Sequence, residues 1–305
     1  MKNKITVVMP VYKEKQEHLK IAIESILNQT WKDFDYIIIM DDPANFELEK
    51  LIREYAEEDD RIHLYINEKN FGCPFSKDRG IRLADTEYVV IMDADDVAYP
   101  PRLEKQLNKM EQEHLDVIAG YVRVIDEKGN PLYNMDNLPK THEKIADKLK
   151  INNCMPHPAW GLRRNVYLKM NGYTDMQGCE DYDFLIRAVR NGYKLGMVDE
   201  IILDYRLSAQ SVSRKNLYRQ YLMMQFIQDK YYKHKLKYQD FDSFCQGKFT
   251  EKRAEKYSKA AVLFEKAVAE KAHKRYWGMV KYLIRSVLAS REYAVKICRY
   301  ILQVI

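Results

Sequence analysis

The chain has 305 residues, 46% hydrophobic and 31% charged, with a formal net charge of +5 at pH 7. That length and mixture exclude a peptide-like or fibrous protein and leave room for one α/β domain with a smaller appendage. The modest charge asks for no nucleic-acid partner. The five cysteines (Cys73, Cys154, Cys179, Cys245 and Cys298) are odd in number, scattered and without CxxC spacing, so neither a disulfide framework nor a zinc site is expected and a reducing cytosol fits best.

Met1 to Lys4 lead straight into ITVVM, a run too short for the apolar region of a signal peptide, so no export is expected. No apolar run elsewhere approaches the roughly 20 residues of a membrane-spanning helix. Ile5 to Met9 predicts a first strand, and Leu19, Ile23, Ile26 and Leu27 recur at helical spacing after it. YIIIM (Tyr36 to Met40), IHLYI (Ile62 to Ile66) and YVVIM (Tyr88 to Met92) predict three more strands, with a helical stretch from Phe46 to Tyr55 between the first two of these. The runs do not alternate apolar with polar residues, as expected of parallel strands buried on both faces. The predicted fold is therefore α/β, a doubly wound, mostly parallel sheet.

In such a sheet functional residues gather where the loops converge, at the carboxyl ends of the strands. Pro10, Val11 and Tyr12 follow the first strand, Asp41 and Asp42 the second, and Asp93, Asp95 and Asp96 the fourth. Beyond Asp116 come a strand (DVIAGYVRVID), a turn (EKGNP), a short helix from His142 to Lys150, the aromatic-rich HPAWGLRR, a helix from Asn165, the acidic helix CEDYDFLIRAVRNG and a strand-like LGMVDEIILDYRL. From about Ser213 the composition shifts to Lys, Tyr, Gln and Met without Pro, which predicts several helices. A boundary near Lys215 divides a domain over 1–214 (halves of about 1–115 and 116–214) from a helical basic region over 215–305.

Asp93, Asp95 and Asp96 repel one another, and a hard divalent cation such as Mg2+ or Mn2+, completed by water and phosphate oxygens, relieves that repulsion. The alternative for Asp96 is a cap on the helix that begins near Pro100 and Pro101. The cluster has company: VVMPVYKE, SILNQTWKDFDYIIIMDD, NFGCPFSKDRGI, YVVIMDADD, CEDYDFLIR and YRLSAQSVS follow in order across residues 4 to 214. In these segments the chain resembles the family 2 glycosyltransferases of the nucleotide-diphospho-sugar transferase (GT-A) fold, of the kind that builds bacterial surface polysaccharides, and several linked motifs are more specific than one.

The resemblance implies that Pro10, Val11 and Tyr12 line a nucleoside pocket and that Asp42 accepts the imide N–H of uracil or thymine. Asp41 is the weaker of its pair, because neighbours on a strand point opposite ways. It implies that Asp93 lies near ribose and diphosphate, and that Asp95, with Asp93, holds Mn2+ or Mg2+. Lys77 is either a diphosphate contact or an ordinary helix-surface lysine, and Asp78 replaces the usual Asn. Of the ED pair, Asp181 is the implied general base of an inverting displacement and Glu180 borders the acceptor. Both acids also suit a helix N-terminus, and Asp183 is read as structural. His157 and Trp160 fall in the stretch that borders the acceptor, Trp160 serving either as a sugar platform or as buried packing. Arg206 and Ser211 to Ser213 belong to a loop that closes over the diphosphate, and Ser208 stands where many relatives have a metal-binding His.

The expected function is transfer of a sugar from a nucleotide donor, UDP-linked or similar, to a saccharide or lipid-linked saccharide acceptor. The site of action is the cytoplasm or the inner face of the cell membrane. A sugar-phosphate nucleotidyltransferase is the enzymatic alternative, but it wants a Gly-rich basic loop that PVYKEKQEH does not supply. A non-catalytic scaffold is the other, and the intact Asp93, Asp95 and Asp181 argue against it. Towards the C-terminus, Tyr276, Trp277, Val280, Leu283, Ile284, Val287 and Leu288 form an apolar stripe, and Glu292 is the one acid from Lys271 onward. Such a helix either lies on an anionic membrane or packs against protein, including a second copy of the chain.

Overall fold

The non-alternating apolar runs form Ile5–Val11 (β1), Phe34–Met40 (β2), Ile62–Ile66 (β3) and Tyr88–Ile91 (β4), paired in parallel in the order β3-β2-β1-β4. The structure, a computed structural model, describes residues 3–176, 178–207, 216–233, 240–272 and 274–301. Ser208, Ser211 to Ser213 and Lys215 lie outside the described residues. β1 is buried at all seven positions, so both of its faces are covered and only its carboxyl end is left to do chemistry.

Between these strands run Gln16–Leu27 (α1), Phe46–Glu58 (α2) and Cys73–Leu83 (α3), with Arg102–Gln112 (α4) after β4. The Asn45 side chain caps α2 by accepting from Leu48 N at 3.2 Å. Gly72 precedes α3 at φ +93°, a conformation open to glycine. Gly80 lets α3 settle on the sheet, since a Cβ there would lie 2.4 Å from Val8 Cγ1. That close seat fixes which face of α3 turns toward the strand ends.

Val97–Ala98 (β5), Val117–Ile125 (β6), Pro131–Met135 (β7), Gly161–Arg163 (β8) and Leu195–Arg206 (β9) complete a nine-stranded sheet of order β3-β2-β1-β4-β8-β6-β9-β5, with β7 on β6. β8 runs antiparallel between β4 and β6, β6 and β9 are parallel, and β5 with β9 and β6 with β7 are antiparallel. The first half is thus purely parallel and the second mixed. The order of β9 beside β6 carries Arg206, the last residue of β9, to the rim where β4 ends. His142–Leu149 (α5), Arg164–Lys169 (α6) and Glu180–Arg190 (α7) complete this part of the chain.

The chain divides into two compact units, one of 1–146, 153–174 and 184–207, the other of 147–152, 175–183 and 208–305. The sheet lies in the first. The second contains Leu217–Gln228 (α8), which runs into a π-helical turn, Asp229–Lys233, and then Phe241–Cys245 (α9), Glu251–Ala272 (α10), Tyr276–Ala289 (α11) and Arg291–Ile301 (α12). Its core is aromatic: Tyr257 meets Tyr221 at 5.1 Å and Tyr293 at 4.9 Å between ring centroids. The short segments 147–152 and 175–183 join it through hydrogen bonds: Gln228 Nε2 donates to Ile151 O and Gln220 Nε2 to Gly178 O, both at 2.7 Å. Among the described residues no helix is long and apolar enough to cross a membrane.

Candidate active site

Pro10 and Val11 end β1 and are buried, with the Val11 carbonyl accepting from Asp41 N at 2.7 Å. Tyr12, just beyond, is 37% exposed and carries the Lys13 ammonium 4.8 Å from its ring centroid. Asp41 and Asp42 divide as strand alternation expects. Asp41 is buried and accepts from Asn67 Nδ2 at 2.6 Å, Phe71 N at 3.0 Å and Gly72 N at 2.8 Å. Its carboxylate therefore fastens the loop that starts α3. Asp42 is partly exposed and accepts from Ala44 N at 3.3 Å, a weak local bond that leaves acceptor capacity for a ligand.

Lys77, on α3, is not a surface lysine: it is 3% exposed and its Nζ lies 2.6 Å from Asp93 Oδ1. This pair neutralises one carboxylate of the cluster at the end of β4. Asp95 is pushed up to about 7 by burial, with the charges of Asp93 and Glu14 adding to the effect. Glu14, whose Oε2 accepts from Tyr12 N at 2.7 Å, is itself raised, first by burial and further by Asp93. Glu14 is the site residue that sequence reasoning passed over. The signal available was its place four residues past Pro10, in the loop that leaves β1 beside β4.

Asp96 is fully buried and does not cap α4, whose cap position is Pro101 without a side-chain bond. Its Oδ1 instead accepts from Arg206 N at 2.8 Å. Burial, then Asp95 and Asp93, hold this carboxyl well above the usual range, and its bond to Arg206 N gives Asp96 a structural role. Arg206 donates from Nε to Asp95 O at 2.7 Å and from Nη1 to Asp126 O and Glu127 O, each at 3.2 Å. Those bonds make it the brace of the Asp95–Asp96 turn. Beneath the cluster the fully buried Arg102 donates from Nη2 to Ile91 O and Pro158 O, and burial pushes it down to about 10.

The arrangement tests the fit of a divalent ion. Its donors are all carboxylate oxygens, the hard type that Mg2+ and Mn2+ take, and Asp95 and Glu14, raised first by burial and further by neighbouring carboxylates, sit where a cation would offset both effects. Among the described residues no group of three His, Cys, Asp or Glu side chains is arranged to hold an ion. The residues present therefore suit an ion held through Asp95 and Asp93 whose shell is completed by water and a ligand's phosphate oxygens.

His157 opens a short 3-10 turn, with Nε2 2.7 Å from the Tyr173 hydroxyl. Burial, and then the charge of Lys77, hold it well below the usual histidine range, so it is neutral. Trp160 offers no face to a sugar: it is 0% exposed, donates from Nε1 to Met155 O at 3.2 Å and packs edge-on to His157. Of the two roles open to it, packing behind His157 is the one it fills. In the second unit, Glu180 and Asp181 occupy the first turn of α7, both partly exposed, where the positive helix end favours an ionised acid. Asp183 is buried and accepts from the Tyr231 hydroxyl at 2.9 Å, a structural role.

The profile of Glycosyl transferase family 2 matches residues 6–169. The chain is 35% identical over 225 residues to an uncharacterised glycosyltransferase of Methanocaldococcus jannaschii, covering 72% of this chain and 78% of that protein. It is 32% identical over 215 residues to the O-antigen biosynthesis glycosyltransferase WbnJ of Escherichia coli, covering 70% and 83%. Among solved structures, residues 1–349 of S. aureus TarS in complex with UDP-GlcNAc share the fold at a TM-score of 0.57 and 13% identity, covering 94% of this chain and 92% of that one. With the family profile spanning more than half its length and its acids placed at the strand ends, the chain belongs to glycosyl transferase family 2.

Proposed function

We propose that this glycosyltransferase moves a sugar from a UDP-linked donor to a saccharide or lipid-linked saccharide acceptor, with inversion at the anomeric carbon, in the cytoplasmic assembly of a cell-surface polysaccharide. The relatives support the setting: WbnJ serves O-antigen biosynthesis, and a relative of Erwinia amylovora serves amylovoran biosynthesis. TarS, with the same fold, binds UDP-GlcNAc.

The observation that carries the reading is the pair of buried Lys77 with Asp93 beside the raised Asp95, with β1 alone between their strand and the one that ends at the open carboxylate of Asp42. Asp42 accepts the imide N–H of uracil and Tyr12 packs beside the base. Asp93 and Asp95 would hold Mn2+ or Mg2+, which when bound would offset the charge of the diphosphate. Asp181 takes the proton of the acceptor hydroxyl as that oxygen bonds to the anomeric carbon; the bond from that carbon to the diphosphate oxygen breaks, and UDP leaves with its electron pair. Arg206 and Asp96 act indirectly, by fixing the turn that carries Asp95.

Calorimetric titration with UDP and with ADP, each with Mn2+ or EDTA, tests the donor side. Expected are tighter binding of UDP than ADP, loss of that preference in Asp42→Ala, and loss of the Mn2+ enhancement in Asp95→Asn. Equal affinity for the two nucleotides would reject the uracil assignment, and UDP binding unchanged by EDTA would reject the metal.

A further inference from the structure

In the helical unit α11 packs one side inward and keeps a second, broad apolar face in the open. Its inward side holds the half-buried Gly278, Met279, Tyr282 and Leu283 around Ser286, which is its buried residue and donates from Oγ to Ala260 O of α10 at 2.7 Å. Its outward side is apolar. Trp277 is 90% exposed, Leu288 80%, Tyr276 61% and Ile284 54%, with Val280 and Val287 between them. At about 100° per residue these six positions share one face roughly 120° wide. A solvated helix buries such a stripe, and here the stripe stays in the open after α10 and α12 have packed.

Charge identifies the occupant. From Lys271 to Ile305 there are eight Lys and Arg residues and one acid, Glu292. Lys281 and Arg285, both exposed, border the apolar face on the same helix. The nearest acids are already engaged: Glu270 pairs with Arg275 at 2.9 Å, and Glu292 accepts from Ser290 Oγ at 3.1 Å. A second copy of the chain docked symmetrically on this face would set the same basic residues against one another. An anionic lipid surface complements them, takes Trp and Tyr at the headgroup level and lets Lys and Arg stems reach its phosphates.

We propose that α11 is a membrane-surface anchor, lying in the headgroup region of an anionic bilayer through Tyr276, Trp277, Val280, Ile284, Val287 and Leu288. The face lies wholly within the helical unit, so its test needs no turnover and stands apart from the donor chemistry. The full chain is floated with vesicles of phosphatidylcholine alone and with added phosphatidylglycerol, at low and high salt. Expected is flotation with the anionic vesicles, weakened by salt, and a loss of about tenfold or more in partitioning for Trp277→Ala/Leu288→Ala. UDP affinity serves as the folding control. Absence of flotation with anionic vesicles, or equal flotation of the double variant, would overturn the proposal. So would self-association in sedimentation that the same double variant abolishes while lipid binding is absent, because the occupant would then be a second copy.

Discussion

Lys77 stands at the centre of the cluster's electrostatics, since it is buried and paired with a carboxylate that has acidic neighbours. Lys77→Met leaves Asp93 uncompensated beside Asp95 and Glu14, and a loss of about 2–4 kcal/mol in chemical denaturation is expected. His157 gives a pH signature. Its folded pKa is depressed, so below about 6.5 the unfolded chain takes up a proton that the folded chain refuses. Its contribution to stability is therefore intact above that pH and falls as the pH drops. Melting temperatures between about pH 7 and 5 should fall less steeply in His157→Gln than in wild type; parallel curves would mean that the imidazole titrates normally. The identities of Asp42, Asp93, Asp95 and Lys77 were legible as residues at strand ends or on the helix beside them. The burial of Lys77, Asp96 and Trp160 was not, because it depends on how α3, β8 and β9 rotate against β4. Glu14 was missed for a related reason: one acid in a charged loop carries no pattern, and only the fold brings it near Asp95.

At the scale of elements, α3 connects packing to chemistry. Gly80 seats it against Val8 and Ile39, and Asp41 fastens the loop at its start. Gly80→Ala forces a Cβ into Val8, and a destabilisation of about 1–3 kcal/mol is expected from overpacking, measured by the same denaturation. A neutral outcome would mean that α3 has slack to move outward. The four parallel strands could be read from the sequence because buried parallel strands leave unbroken apolar runs. The three-residue β8 and the antiparallel pairings of β5 and β7 could not, because segments this short have no period to read and acquire strand geometry from their neighbours. The same limit applies to α11: its stripe was visible, but the sequence did not say that Ser286 turns inward and Trp277 outward.

For the whole molecule, a sheet that is parallel on one side and mixed on the other carries the acids, and a separate helical unit includes the segment with Glu180 and Asp181. The 175–183 segment is drawn into that unit by hydrogen bonds such as Gln220 to Gly178, contacts between side chain and backbone that leave no periodic trace. The proposed transfer turns on removal of the acceptor's proton by Asp181. Release of UDP from a panel of UDP-sugars, in the presence of Mn2+ and saccharide acceptors, measures it directly. Asp181→Asn is expected to bind UDP as wild type does while its turnover falls about a hundredfold or more; undiminished turnover in that variant would contradict the claim.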